Sequence, residues 1–166
     1  QAGSTSKLFA VANNGFYDIS AGGAFPAASV SGLTNSKWQY VNFTNTGGSY
    51  IIAANGADAV YSFDGTTWAA QAISGTTASA FSHINIHKNR VWFCKDNTLE
   101  AYFLNTGAVA GTASKLDLSG FFRLGGELMA TATWTLDAGE GMDDYWVAVT
   151  SNGEIIVYKG TDPTSA

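Results

Sequence analysis

Only two histidines occur in the chain, His83 and His87. They sit in the alternating run Ser82-His83-Ile84-Asn85-Ile86-His87. On a strand the two imidazoles share a face about 13 Å apart, at about 3.3 Å per residue. Ligands to one zinc ion must converge within a few ångströms, and a zinc site needs further donors as well. The pair is therefore expected to pack, one ring partly buried and one near a turn, and no metal site is assigned. Asp137, Glu140, Asp143 and Asp144 form an acidic stretch. Calcium loops alternate their oxygen ligands ahead of a glycine, and this stretch does not, so a solvated hairpin end is expected. No Gly-x-Ser-x-Gly elbow and no glycine-rich phosphate loop leading into a helix is present. Acids at strand ends can meet as a glycosidase pair, but no spacing selects one. Trp38, Trp68, Trp92, Trp134 and Trp146 have faces on which sugars can stack. Four lie in strand patterns and Trp68 closes a turn, so packing between sheets is the expected role. No catalytic, cofactor-binding or metal-binding residue follows from these patterns, and no cofactor is implied.

The elements that hold these residues recur. Residues 7–12 run into Asn13-Asn14-Gly15 and out through 16–19. Residues 50–54 run into Asn55-Gly56 and out through 59–63. Residues 90–94 run into Lys95-Asp96-Asn97 and out through 99–103. Residues 145–149 run into Ser151-Asn152-Gly153 and out through 154–158. Asn-Gly suits a two-residue type I′ turn, which needs positive φ at both central positions. Alternating runs at 38–43, 82–87 and 128–134 precede the second, third and fourth units. Outer-strand candidates at 25–30, 68–73 and 114–118 follow the first three. The first spacings are about 40 residues, the period of a four-stranded propeller blade. No segment shows helical periodicity; residues 120–127 suit one short turn, and 105–112 carry no strand signal.

The expected fold is all-β and β-propeller-like, with about four consecutive blades of antiparallel strands in one domain spanning residues 1–166. A twisted β-sandwich built from the same hairpins is the alternative. The run 50–54 is apolar on both faces and is expected to be covered on both. Leu8, Val11, Ile51, Ile52, Val91, Phe93, Trp146, Val147 and Val149 are expected to be buried in central strands. The first unit lacks a preceding strand and the fourth a following one. Their ends do not complement each other, as a closed propeller requires. A piece of a longer propeller is therefore expected, and the start at Gln1 is in keeping with a processed or excised chain. Leu8, Glu154, Ile156 and Tyr158 mark the resulting assembly edge.

The 166 residues suffice for one ordinary core, with 46% hydrophobic residues and 19 glycines. No apolar run reaches the roughly 18 residues of a membrane helix, and QAGSTSKLF lacks the pattern of a signal peptide. Cys94 is the sole cysteine, which excludes an internal disulfide and reads as a small buried hydrophobe. The net charge of −5 argues against a basic nucleic-acid surface. Up to His83 the only Lys, Arg, Asp or Glu residues are Lys7, Lys37, Asp18, Asp58 and Asp64, so Ser, Thr, Asn and Gly supply the polar surface there.

Ser62-Phe63-Asp64-Gly65-Thr66-Thr67-Trp68 resembles the Asp-box of sialidase propellers, Ser-x-Asp-x-Gly-x-Thr-Trp, one residue short. In that family the box is a structural turn. The Asp carboxylate is expected to bond nearby backbone N–H groups, with the Trp beneath. Sialidase activity would imply three arginines and a tyrosine nucleophile, and only Arg90 and Arg123 are present. A broader resemblance joins Trp38-Gln39-Tyr40-Val41-Asn42-Phe43, Asn55-Gly56-Ala57-Asp58, Phe63-Asp64-Gly65-Thr66-Thr67-Trp68, His87-Lys88-Asn89-Arg90-Val91-Trp92-Phe93 and Ser151-Asn152-Gly153-Glu154. In this order they resemble structural proteins of tailed phages and prophages, the propeller-bearing nozzle or tail-tube proteins of short-tailed phages. The resemblance implies a non-enzymatic virion component that docks to copies of itself and to neighbouring tail proteins around a DNA conduit. It implies no catalytic residues, no specific nucleic-acid binding and no membrane. A carbohydrate-binding module for host-surface glycan is the alternative, and it needs an exposed aromatic pair beside polar groups.

Overall fold

Side chains on a strand alternate between two faces, so a run that is apolar at every position can be stable only between two layers. Residues 90–94 show how the chain meets this demand. In the computed structural model, which describes residues 6–24, 26–137, 142–160 and 163, Val91 and Phe93 face one apolar cluster. Trp92 and Cys94 face another on the opposite side. The sheet carrying them is the middle layer of a stack.

The described chain is all-β, and its antiparallel sheets follow one another in sequence order. The first pairs β1 (Phe9–Ala12) with β2 (Gly15–Asp18). The second is a meander of β3 (Gln39–Asn45), β4 (Gly48–Ala54), β5 (Tyr61–Phe63) and β6 (Trp68–Ala70). A short strand β7 (Ile73–Ser74) and one 3-10 turn (Ala78–Ala80) lead on. The third sheet runs through β8 (Phe81–His87), β9 (Arg90–Lys95) and β10 (Glu100–Phe103). The chain then forms β11 (Gly111–Thr112) and returns as the sheet's fourth strand, β12 (Ser114–Asp117). The fourth sheet holds β13 (Leu128–Asp137), β14 (Met142–Thr150) and β15 (Ile155–Tyr158).

Each of the last three sheets begins with a strand that touches its counterpart next door: β8 lies against both β3 and β13. Between the second and third sheets the core is built on Phe43, Ile52, Val60, Phe81, Val91 and Phe93. The Phe81 and Phe93 rings stack at 4.3 Å. Between the third and fourth sheets Trp92 and Trp146 meet at 4.8 Å, with Phe103 and Leu128 around them. Burying each of these large side chains stabilises the fold by about 1.5–3 kcal/mol. First and second sheets share an aromatic cluster in which Phe16 contacts Trp38, Tyr61 and Trp68 and Phe9 contacts Phe63.

Turn chemistry explains the hairpins. Asn13 and Asn14 have φ of 46° and 56°, the two-residue turn expected between β1 and β2. Lys88 and Asn89 do the same between β8 and β9, at 47° and 57°. At Asn55-Gly56 the expected two-residue turn is not formed. Residues 55–60 make a longer loop, and of that pair only Gly56 has positive φ, 73°. Its shape is fixed by Asn55, whose Oδ1 accepts the Ala57 and Asp58 amides at 3.0 and 2.8 Å. The Asn55 Nδ2 donates to Asp58 at 2.6 Å. Asp58 in turn accepts the Thr34 amide and hydroxyl. Burial works to raise the Asp58 pKa, but these bonds prevail and hold it below the usual carboxylate range.

Other departures have equally local causes. Residues 105–112, without strand signal, contain β11, which pairs parallel with β7. This ties the second sheet's exit to the third sheet's outer edge. Gly75 permits the approach: its φ is 88°, and a Cβ there would stand 2.5 Å from the Ala113 carbonyl oxygen. Of the outer strand expected at 25–30, Phe25 lies outside the described residues and only Val30 bridges, to Phe16. Residues 138–141 of the acidic stretch also lie outside them, as do 161–162 and 164–166 of the tail. Among the described residues no helix is long and apolar enough to cross a membrane.

Candidate functional site

Sheet two has two halves on the side facing sheet one. Its outer half, Tyr61 and Phe63 of β5 with Trp68 of β6, lies under Phe9 and Phe16. Its inner half, Tyr40 and Asn42 of β3 with Ile51 and Ala53 of β4, is left open. Registry places these residues together, Tyr40 opposite Ala53 and Asn42 opposite Ile51. The opening is a cleft of about 470 Å³, walled on its other side by Leu8, Phe9 and Val11. Trp38 stands within it, and Lys7 and Ser36 add polar groups to its lining.

This cleft explains several exposures. Leu8 is 60% exposed, and Val11 and Ile51 are only half-buried, against the expectation of burial, because nothing described covers the inner half. Val147 and Val149 are half-buried for a parallel reason: they point away from the third sheet on the fourth sheet's outer face. Ile52, Val91, Phe93 and Trp146 are buried as expected. Below the cleft, Lys7 Nζ donates to Asp18 at 2.6 Å. That bond, with those from Ser20, brings the Asp18 pKa to about 2.

The remaining candidates take structural positions. His83 Nε2 lies 3.0 Å from the Thr131 carbonyl, and His87 Nδ1 lies 3.2 Å from Thr133 Oγ1. Both rings are thus spent on the joint between β8 and β13. No group of three or more His, Cys, Asp or Glu suited to a metal ion occurs among the described residues. Asp64 Oδ1 accepts the Thr66 and Thr67 amides, each at 2.8 Å, and Trp68 packs on Phe63 beneath this turn, as the motif implied. Cys94 is fully buried. Four of the five tryptophans lie in or beside inter-sheet aromatic contacts, but Trp134 is 57% exposed, since it lies on the fourth sheet's outer face.

Of the edge residues, Leu8 borders the cleft. Glu154 is a latch: its carboxylate accepts the Arg123 and Leu124 amides at 2.9 and 2.7 Å and holds the loop before β13. Ile156 and Tyr158 turn inward against the core between sheets three and four. The outward side chains of β15 are Ile155, 64% exposed, and Val157, 48% exposed. Registry sets Val157 beside Val147 and Ile155 beside Val149, with Trp134 and Tyr145 opposite each other at one end. The ragged fourth unit led to the expectation of an uncovered apolar face here, but the run 155–158 is apolar at every position, so the sequence did not choose Ile155 and Val157 over Ile156 and Tyr158 as its outward pair.

Comparison with protein-family models, with curated proteins and with solved structures gave no match.

Proposed function

We propose that the chain is a non-enzymatic structural component, a run of propeller-like blades that docks end to end with copies of itself or with neighbouring proteins. The observation that carries this reading is the outer face of the fourth sheet. It has the same composition as the faces already joined inside the stack, aliphatic and aromatic side chains on a meander; the Lys159 ammonium stands 5.6 Å over the Tyr145 ring at one end, and Ile155 and Val157 remain exposed. Exposed apolar patches of this kind mark association surfaces. The successive contact of β3, β8 and β13 favours blades around an axis over a two-layer sandwich, whose layers would not repeat in chain order. The phage tail-tube or nozzle role implied by the sequence resemblance is in keeping with such a scaffold. A net charge of −5 suits a wall along which DNA passes without being gripped.

Sedimentation velocity from low to high micromolar concentration, run beside a glycan array, tests the reading. Association that Val157→Asp abolishes, with no saturable glycan binding, is expected. A monomer that binds glycan would replace the scaffold with the carbohydrate-binding alternative.

A further inference from the structure

The cleft beside β1 has the dimensions and the chemistry of a missing strand. In a two-residue hairpin, residues alternate between pairs that exchange backbone bonds and pairs whose N–H and C=O point outward. The turn at Asn13 and Asn14 makes Ala12 and Gly15 a bonded pair, and likewise Ala10 and Tyr17. Phe9 and Val11 are then the residues whose backbone points away from β2. The partner strand confirms this phase. Phe16, opposite Val11, sends its N–H outward to the Val30 carbonyl at 2.9 Å and accepts the Ser29 amide at 2.7 Å. On the β1 side the corresponding groups of Phe9 and Val11 have no strand partner among the described residues. An unpaired edge and an uncovered half-sheet thus meet in one cleft.

The later sheets show what belongs there. The second, third and fourth each start with an innermost strand, and consecutive ones lie against each other, β3 on β8 and β8 on β13. The first sheet alone has no such strand among the described residues, and β3 has such a neighbour on only one side, as β13 does at the other end of the row. A strand added antiparallel to β1 would occupy the position that β3 holds beside β4, and would cover Tyr40, Ile51 and Ala53.

We infer that the cleft is a β-augmentation site that accepts an extended segment donated by a neighbouring protein chain, with apolar side chains at alternate positions facing the second sheet. Backbone bonds to Phe9 and Val11 give the binding energy a direction, and the alternate side chains give it register. A sugar, which stacks on a flat aromatic face, leaves those backbone groups unused. The inference rests on the blade reading above but engages the opposite end of the stack.

The probe is a synthetic peptide carrying residues 38–45, the chain's own innermost strand of the second sheet. The control replaces Val41 and Phe43 of that peptide by Asp. Binding is followed by NMR, with hydrogen exchange read at each amide. Expected is saturable binding of the parent peptide, at least tenfold slower exchange at Phe9 and Val11, and at least tenfold weaker binding of the control. Ile51→Glu in the protein should weaken binding about tenfold. If that variant unfolds, the exposed-site variant Tyr40→Lys serves with the same expectation. No binding at millimolar peptide, binding that leaves the Phe9 and Val11 amides unchanged, or binding of chitohexaose to Trp38 and Tyr40 overturns the inference. Self-association blocked by Val157→Asp is scored separately, so the scaffold reading can stand while this site fails, and the reverse.

Discussion

His87 Nδ1 lies 3.2 Å from Thr133 Oγ1, and the Thr133 hydroxyl donates onward to the Ile86 carbonyl at 2.8 Å. With its proton so committed, the hydroxyl can only accept from the ring. Nδ1 therefore carries the hydrogen and Nε2 is bare. Nε2 is buried with no partner in the structure, in a residue only 4% exposed. Protonation would put an unpaired N–H in the joint between the third and fourth sheets. Burial, and next the Lys88 charge, push the His87 pKa down, against an opposing pull from Asp144.

A folded-state pKa below the unfolded value of about 6.5 means that the unfolded chain binds the proton first. The His87 contribution is then fully present above about pH 6.5 and is lost as pH falls. Urea midpoints should decline from pH 7.5 to 5.5, with a slope from this one group of at most about 1.4 kcal/mol per pH unit. His87→Gln should flatten that window. An unchanged slope in the variant would assign the decline to other groups.

Ile51 and Ile52 are sequence neighbours with different fates. Ile52 is fully buried between the second and third sheets, while Ile51 borders the cleft. Ile52→Ala should cost about 2–5 kcal/mol through the cavity it leaves. Ile51→Ala should cost about 1 kcal/mol, since much of its surface is already in water. Equal losses in denaturant titrations would mean that the cleft is closed in solution.

Asn55→Ala should cost about 1–3 kcal/mol, because the Ala57 and Asp58 amides lose their acceptor. Asn55→Asp keeps that acceptor but sets a second carboxylate against Asp58, where the amide now donates at 2.6 Å. Its deficit should be largest at neutral pH and shrink as pH falls through the range in which one of the two acids takes a proton. Thermal melts at pH 7 and pH 4.5 distinguish the variants.

Ile155→Lys and Val157→Asp should each weaken self-association at least tenfold in sedimentation while leaving the far-ultraviolet circular dichroism unchanged. Ile156→Asp should instead unfold the fourth sheet, because Ile156 packs inward. Asp144→Asn should have little effect on association.

Period and alternation made the sheets legible. The runs at 38–43, 50–54, 82–87 and 90–94 each became strands because every one is an alternating or two-faced apolar pattern bounded by turn residues. The Asp64 turn was legible because its bonds are local. What escaped the sequence was whatever depends on a distant partner. Leu8 looks like core until it is seen that no strand among the described residues lies over it. Asn55-Gly56 reads as a tight turn until Asp58 and Thr34 claim the Asn55 side chain and its neighbours. The β7–β11 pair joins two segments of two residues each, too short to carry a pattern, held by parallel pairing across the two sheets. The cleft showed in the sequence only as the strand absent before the first unit; that the gap opens onto Tyr40, Asn42, Ile51 and Ala53 depends on how the first sheet packs on the second.

Cys94 gives the joint between the third and fourth sheets a clock. Its sulfur lies on the face of β9 turned toward Trp146, and burial pushes the thiol pKa up to about 12. Thiolate is the reactive form, so a disulfide reagent in solution must wait for the joint to part. At saturating reagent the labelling rate is the rate of that parting. At low reagent it reports how much of the time the joint stands open. Because the second and third sheets close over a different face of β9, the fourth sheet can peel away while they stay shut. One native sulfur therefore times the departure of a terminal sheet, the event by which a stack of this kind would exchange its neighbours.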